Sequence, residues 1–449
     1  MASGSVSSVD EKGEDECSGG VDRISELPEG ILLSILSLLS LKDAVKTSLL
    51  SGGWVNLWKS VVKELDFDAP EIQYAQSGLI PAAARRIKFK NFVNRVVRQL
   101  KDVSSGQITK FRVSFTLTNQ CNSKGAIDKW LKFALSKRVI ELSLVTYILT
   151  PESDGKGYVF PEDCFDHIKT PAGLSDIRSI RTLRLSYVAV KAETIEHFIS
   201  HCPYLEELAV RKSDLIVKLR VAAAAGSSSL ALKRLEVGEC WKLKTLEIDN
   251  APCLTHFTYE GGELVELRLE NCVSLVDVNL GLDFCTPSFA FDSISCYARQ
   301  LAALTVRINQ NYIRFSNVAE FTHLEQLTIE TIGNSNSKII RFVTLINACP
   351  RIHTLRLKLY TYLACEMEVC STPDVARVGR ESIKTVEIIG FNGFPIECEF
   401  IEYVLECFVG MERIVLHLDN KNQVEEARSC ALEFKARASP AIEFVVADD

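Results

Sequence analysis

The chain has 449 residues, enough for two or three folding units rather than one core. Apolar residues make up 47% and charged residues 24%, the ordinary balance of a globular protein, and the formal net charge of −7 excludes a strongly basic nucleic-acid footprint spread over a whole domain. Fifteen cysteines, none spaced Cys-x-x-Cys, and a first stretch without an apolar signal segment predict reduced, largely buried thiols and a nuclear or cytoplasmic protein. The longest apolar run, from Ile31 to Leu41, is interrupted by Ser34, Ser37 and Ser40. It falls short of the roughly 20 residues of a membrane span.

Residues 1–21 are rich in Ser, Gly, Asp and Glu, and read as a disordered tail that cannot bury enough apolar surface to offset its ordering entropy. Residues 22–66 read as a small helical unit. Pro28 suits a first helical position, and Ile31, Leu32, Ile35, Leu36 and Leu39 recur at helical spacing. Asp43 can cap a second helix carrying Val45, Leu49 and Leu50, which Gly52-Gly53 interrupts before Trp54 and Trp58. A unit this small has a slim core, so it either packs on a neighbour or offers apolar residues to a partner.

Residues 85–101 form an amphipathic pattern through Phe89, Phe92, Val93, Val96, Val97 and Leu100. Arg85, Arg86, Lys88, Lys90, Arg95, Arg98 and Lys101 crowd the same segment. In a chain of net negative charge, a solvated basic helix face is the simpler reading, with nucleic-acid contact as the alternative.

From there one pattern returns to the end, apolar-x-x-apolar-x-apolar. It runs from Val139-x-x-Leu142-x-Leu144 through Leu243-x-x-Leu246-x-Ile248 and Leu264-x-x-Leu267-x-Leu269 to Met411-x-x-Ile414-x-Leu416. The central copies return about every 11 residues, enough for a strand and a tight turn; the flanking copies return every 23 to 31, enough for a strand and a helix. An echo supports the repeat: Cys202-Pro203 before Leu205-x-x-Leu208 matches Cys349-Pro350 before Ile352-x-x-Leu355, proline ending a helix in each. The fold class expected is an α/β leucine-rich-repeat solenoid, a curved parallel sheet with irregular repeats, over 85–368 and continued by 369–449.

Strand side chains alternate, so the polar neighbours of the motif leucines line the concave face. Glu207, Glu236, Glu247, Asp249, Glu266, Arg268 and Glu270 are the candidate target-binding residues there. They predict a face acidic in its middle and more basic toward Arg307, Arg356 and Lys358, suited to a partner with a basic segment. An assortment of solvated charges is the competing reading.

The helical unit resembles a plant F-box. The resemblance rests on Leu27-Pro28-x-x-Ile31-Leu32, Lys42-Asp43-Ala44-Val45-x-Thr47-Ser48-x-Leu50-Ser51 and Trp54-x-x-Leu57-Trp58 in order. Ile383 to Gly393, followed by Glu399 to Leu405, is similar to the FBD domain of the same plant proteins. The resemblance implies a non-catalytic receptor subunit of a Skp–cullin–F-box ubiquitin ligase. Its F-box would bind a Skp-family adaptor through Leu27, Pro28, Ile31, Leu32, Ile35, Leu36, Val45, Leu49, Leu50 and Trp54. The adaptor would join it to a cullin, and the repeats would bind a target protein. Two departures stand out. Gly52 and Gly53 replace basic residues and, inside a helix, would cost about 1 kcal/mol each relative to Ala; Ser40 replaces the proline after the first helix.

No nucleotide-binding loop or nucleophile elbow is present, and no cofactor or metal is expected. His197 and His201, at i and i+4, lack the glutamate of the zinc-protease motif. A repeat scaffold with a degenerate F-box and no ligase role remains the alternative to the receptor.

Overall fold

A computed structural model describes residues 24–50, 52–67, 82–102, 108–117, 123–148, 157–161, 177–223, 229–261, 266–282, 287–309, 318–333, 342–361, 379–419 and 424–448. The predicted tail, 1–21, lies outside them. The chain divides into two compact units, Met1–Lys63 with Asp102–Gly106, and Glu64–Lys101 with Gln107–Asp449.

The first unit is helical, with α1 (Glu29–Ser37), α2 (Leu41–Lys46), a 3-10 turn over Thr47–Leu49, and α3 (Trp54–Val61). Its core is Leu32 and Leu36 from α1, Ala44 from α2, and Trp54 and Trp58 from α3, each pair one helical turn apart. The Trp54 indole donates to Ser25 Oγ at 2.8 Å. Two sequence expectations change. Ser40, not Asp43, caps α2: its Oγ accepts from the Asp43 N–H at 3.2 Å and its hydroxyl donates to Asp43 Oδ2 at 2.7 Å. Gly52 and Gly53 fall in the turn before α3 and not within a helix, so the helix-propensity cost does not arise.

The second unit rests on parallel strands. In chain order they are β1 (Glu64–Phe67), β2 (Lys110–Leu117), β3 (Glu141–Ile148), β4 (Tyr158–Val159), β5 (Thr182–Ser186), β6 (Val188–Ala189), β7 (Glu207–Arg211), β8 (Lys218–Ala222) and β9 (Arg234–Gly238). They continue as β10 (Thr245–Asp249), β11 (His256–Gly261), β12 (Glu266–Glu270), β13 (Asp277–Leu282), β14 (Ala303–Asn309), β15 (Gln326–Gly333), β16 (Thr354–Thr361), β17 (Thr385–Phe391), β18 (Arg413–Leu418) and β19 (Glu443–Asp448). Fourteen of them form one sheet in the order β1-β2-β3-β5-β7-β9-β11-β13-β14-β15-β16-β17-β18-β19. The helices are α4 (Ala82–Leu100), α5 (Lys124–Ser136), α6 (Ala192–His201), α7 (Pro287–Ile294), α8 (Phe342–Asn347), α9 (Pro395–Cys407) and α10 (Val424–Arg437). At the amino-terminal end of the sheet, Phe92 meets Phe67, Phe89 stacks on Phe115, and Trp130 meets Phe115 edge-on, with centroids 5.8 to 6.1 Å apart.

The 11-residue spacing has a different meaning from the one the sequence suggested. β8, β10 and β12 form a separate three-stranded sheet, while β7, β9, β11 and β13 belong to the large one. Two copies of the motif therefore make one coil, and a strand stands where flanking repeats place a helix. The corners repeat. The residue after β5, β7, β9, β10 and β12 takes positive φ (Tyr187 58°, Lys212 55°, Glu239 52°, Asn250 54°, Asn271 54°). The Tyr187, Lys212 and Asn250 N–H groups donate to Arg211, Gly238 and Glu270 carbonyls at 2.8 to 3.1 Å, the last residues of the next strand in each sheet. A small buried residue follows (Ser213, Cys240, Ala251 and Cys272), and a buried Ile or Leu completes the turn three positions later.

Candidate functional site

Seven of the ten adaptor-facing candidates have partly or fully exposed side chains; Leu32, Leu36 and Trp54 are buried and form the frame beneath. Ile31 is 48% exposed, Ile35 37%, Leu49 84% and Leu50 63%. Leu38, 86% exposed, and Ile24 and Val55 join the exposed set without having been singled out from sequence. The signal for Leu38 was present: two residues beyond Leu36, it falls off the buried stripe of α1.

The seven target-facing candidates do not share one face. Glu207 and Glu236 lie on β7 and β9 of the large sheet, whereas Glu247, Asp249, Glu266, Arg268 and Glu270 lie on β10 and β12 of the small one. Both sheets bury their apolar rows, so the charged rows point away from the core on different sides. Nor is the middle a bare acidic strip, because each of these acids except Glu270 meets a cation. On the small sheet Lys218 meets Glu247 at 2.8 Å, Arg220 meets Asp249 at 3.2 Å, and Arg268 meets Glu266. Lys218 holds the Glu247 carboxyl below its ordinary range.

The open face of the large sheet carries a built network. Arg211 pairs with Glu236, with Glu260 at 2.7 Å and with Glu239 at 3.3 Å, while Arg307 reaches Glu260 from the other side at 3.6 Å. Burial opposes the Arg211 charge, but its three carboxylate partners outweigh that and raise its pKa. The strands between these residues carry glycine for a steric reason. A Cβ at Gly238 would lie 3.2 Å from Arg211 Cγ, and one at Gly281 would lie 2.6 Å from Arg307 Nη2. A side chain at either position would have to push the guanidinium arm aside, and glycine leaves both arms their path across the intervening strand.

Beside this network lies a polar depression of about 290 Å³ on the open face, with Arg184, Arg234, His256, Thr258, Asp277 and Asn279 among its walls. Arg184 is held by Glu207 at 2.7 Å. His256 Nε2 stands 3.8 Å from Asp277 Oδ2, and burial pushes the Asp277 carboxyl up against the pull of His256 and Arg234. Sequence reading missed Arg184 and His256, because nothing local marks which strands will be neighbours. His197 and His201 stack at 4.1 Å, and His201 Nδ1 lies 2.9 Å from the His197 carbonyl oxygen. Among the described residues no group of three or more His, Cys, Asp or Glu is placed to hold a metal ion, and no helix is long and apolar enough to cross a membrane.

A helical unit with exposed leucines, followed by a parallel-strand solenoid, defines an F-box/leucine-rich-repeat protein. An F-box domain model matches residues 24–65, and the model described as At1g61320/AtMIF1, LRR domain, matches residues 100–444. The chain belongs to the plant F-box/leucine-rich-repeat/FBD family. It is similar to the F-box/FBD/LRR-repeat protein At5g22660 of Arabidopsis thaliana, 24% identical across 91% of this chain and 92% of the relative. It is also similar to the FBD-associated F-box protein At5g22730 of Arabidopsis thaliana, 26% identical across 89% and 88%. The F-box/LRR-repeat protein At3g26922 from the same plant is 29% identical across 58% of this chain and 82% of the relative.

Proposed function

We propose that this chain is the substrate receptor of a Skp–cullin–F-box type ubiquitin ligase. The helical unit docks on a Skp-family adaptor and through it on a cullin. The open face of the large sheet holds a target protein, and a separate enzyme transfers ubiquitin, so the chain itself does no chemistry. Nuclear or cytoplasmic residence goes with that role.

One observation carries the reading. Of 19 large apolar residues exposed among the described ones, eight lie between Ile24 and Val55. Fully burying a Leu or Ile side chain contributes about 1.5 to 3 kcal/mol, so covering even part of this set drives association. On the target side, Glu207 and Glu236 remain candidate contacts. Their paired surroundings favour a target held by hydrogen bonds and charge register over one selected by net basic charge.

The test is co-purification of a Skp-family adaptor with the full chain. Wild type is expected to retain the adaptor. Leu49→Asp/Leu50→Asp changes two exposed side chains and is expected to lose most of it with an unchanged melting temperature. Leu27→Ala/Pro28→Ala is expected to weaken it. Absence of adaptor from the wild type overturns the ligase reading and favours a scaffold with a degenerate F-box.

A further inference from the structure

The basic segment that the sequence singled out lies outside the residues assigned to the proposed receptor function, and in the structure it lines a groove. α4 carries six cations, Arg85 to Arg98, and no carboxylate. α5 carries Lys124, Lys129 and Lys132 and one carboxylate, Asp128, whose Oδ1 accepts the Tyr158 hydroxyl at 2.7 Å. Between the two helices runs an open groove of about 700 Å³. Val97, Trp130 and Phe133 contribute its apolar lining, and Lys90, Arg98, Lys101 and Lys129 stand along it. The Trp130 indole donates to Asn94 Oδ1 at 2.8 Å, tying α5 to α4. Among the described residues, none of those four cations meets a carboxylate within ion-pair distance.

We propose that this groove binds an acidic amphipathic peptide segment of a partner protein, aliphatic side chains over Val97 and carboxylates against the cations. The groove shares no residue with the F-box or with the open strand face, so the proposal does not depend on the receptor reading. Charge complementarity selects the occupant's sign: this is an uncompensated basic strip in a chain of net charge −7. The spacing selects its length. Lys90 to Lys101 covers roughly 16 Å at 1.5 Å per helical residue, which matches about three turns of a partner helix and exceeds one phosphate group. The lining disfavours a nucleic acid. Trp130 and Phe133 are 1% and 6% exposed, so no aromatic face is offered for bases to stack on.

The experiment uses the full chain and fluorescence anisotropy. The probe is a fluorescein-labelled helical peptide of about fourteen residues, with leucine on one face and glutamate on the other. Its first control replaces leucine by serine at the same charge, and the second is a single-stranded oligonucleotide. The leucine–glutamate peptide is expected to bind in a salt-sensitive manner, the serine peptide several-fold more weakly. Lys90→Glu/Arg98→Glu/Lys129→Glu is expected to weaken it about tenfold or more. Gly125→Trp tests occupancy without changing charge. Gly125 lines the groove, and a Cβ there meets nothing within 4 Å, so an indole has room at the groove wall and binding should fall. Failure of the peptide to bind overturns the proposal. So does affinity undiminished in both variants, or an oligonucleotide that binds more tightly than the peptide.

Discussion

Glu397 shows how a single side chain can tie a turn to a helix and leave a pH signature. It is 4% exposed near the start of α9, and its Oε2 accepts the Asn392 N–H at 2.9 Å and the Phe394 N–H at 3.3 Å. Burial pushes its pKa up to about 7, against the pull of these backbone donors. The folded state thus holds a proton that the unfolded chain releases near the ordinary glutamate value of 4.5. The contribution favours folding at low pH and is lost as pH rises through about 7, a change of roughly 3 kcal/mol by linkage. Subtracting the stability of Glu397→Gln from that of wild type between pH 5 and 8 should give a difference that falls with pH. A flat difference would show that the carboxyl is ionised throughout. Glu260 makes the complementary case. It is the acid between Arg211 and Arg307, and Glu260→Gln leaves two part-buried guanidinium groups short of a partner. Chemical denaturation should show a loss of about 1 to 3 kcal/mol, more than the 0 to 1 kcal/mol expected for the exposed Arg268–Glu266 pair.

At the scale of the element, the decisive features are the corners. Each central coil turns on a residue in the left-handed region, where a side chain costs roughly 1 to 2 kcal/mol unless it is Gly, Asn or Asp. Asn250 and Asn271 meet that demand, whereas Tyr187, Lys212 and Glu239 do not. The last three are joined instead: Lys212 Nζ donates to the Tyr187 hydroxyl at 2.7 Å and meets Glu239 at 2.9 Å. Three strained corners are held by contacts between successive repeats. Asn250→Val should destabilise the unit by about 1 to 2 kcal/mol, while Asn250→Gly should be close to neutral. Equal effects of the two substitutions, read by thermal melting, would remove the corner from this account.

Across the larger unit, strands hydrogen-bond only to their neighbours in the sheet order, as in other solenoids, so damage should stay local. Trp130, on α5, is buried against Phe115 of β2 and donates to Asn94 of α4. Trp130→Ala removes the largest side chain of that end and should cost about 3 to 5 kcal/mol locally. Hydrogen exchange should then accelerate in β1 to β3 while β14 to β18 keep their protection. Uniform acceleration along the sheet would mean that the unit unfolds as one block.

The sequence alone determined the repeat, the F-box and the inward positions of the repeat motif. Leucine spacing is a local property, and a strand must bury alternate residues wherever it sits. Leu208, Leu246, Leu267 and Leu355 are accordingly buried. Tertiary structure decided which strands are neighbours. Glu236 and Glu247 occupy the same place in identical motifs eleven residues apart, yet they lie on different sheets. A six-letter motif records inward and outward, and it does not record which side of the coil is outward. For the same reason the partners of Arg211 were invisible, since Glu260 lies 49 residues on and meets it only because Gly238 leaves the path open. The groove between α4 and α5 shares that limit. The cations of α4 were legible in the sequence, but the channel they share with Lys129 of α5 exists only once Trp130 and Asn94 bring the helices together.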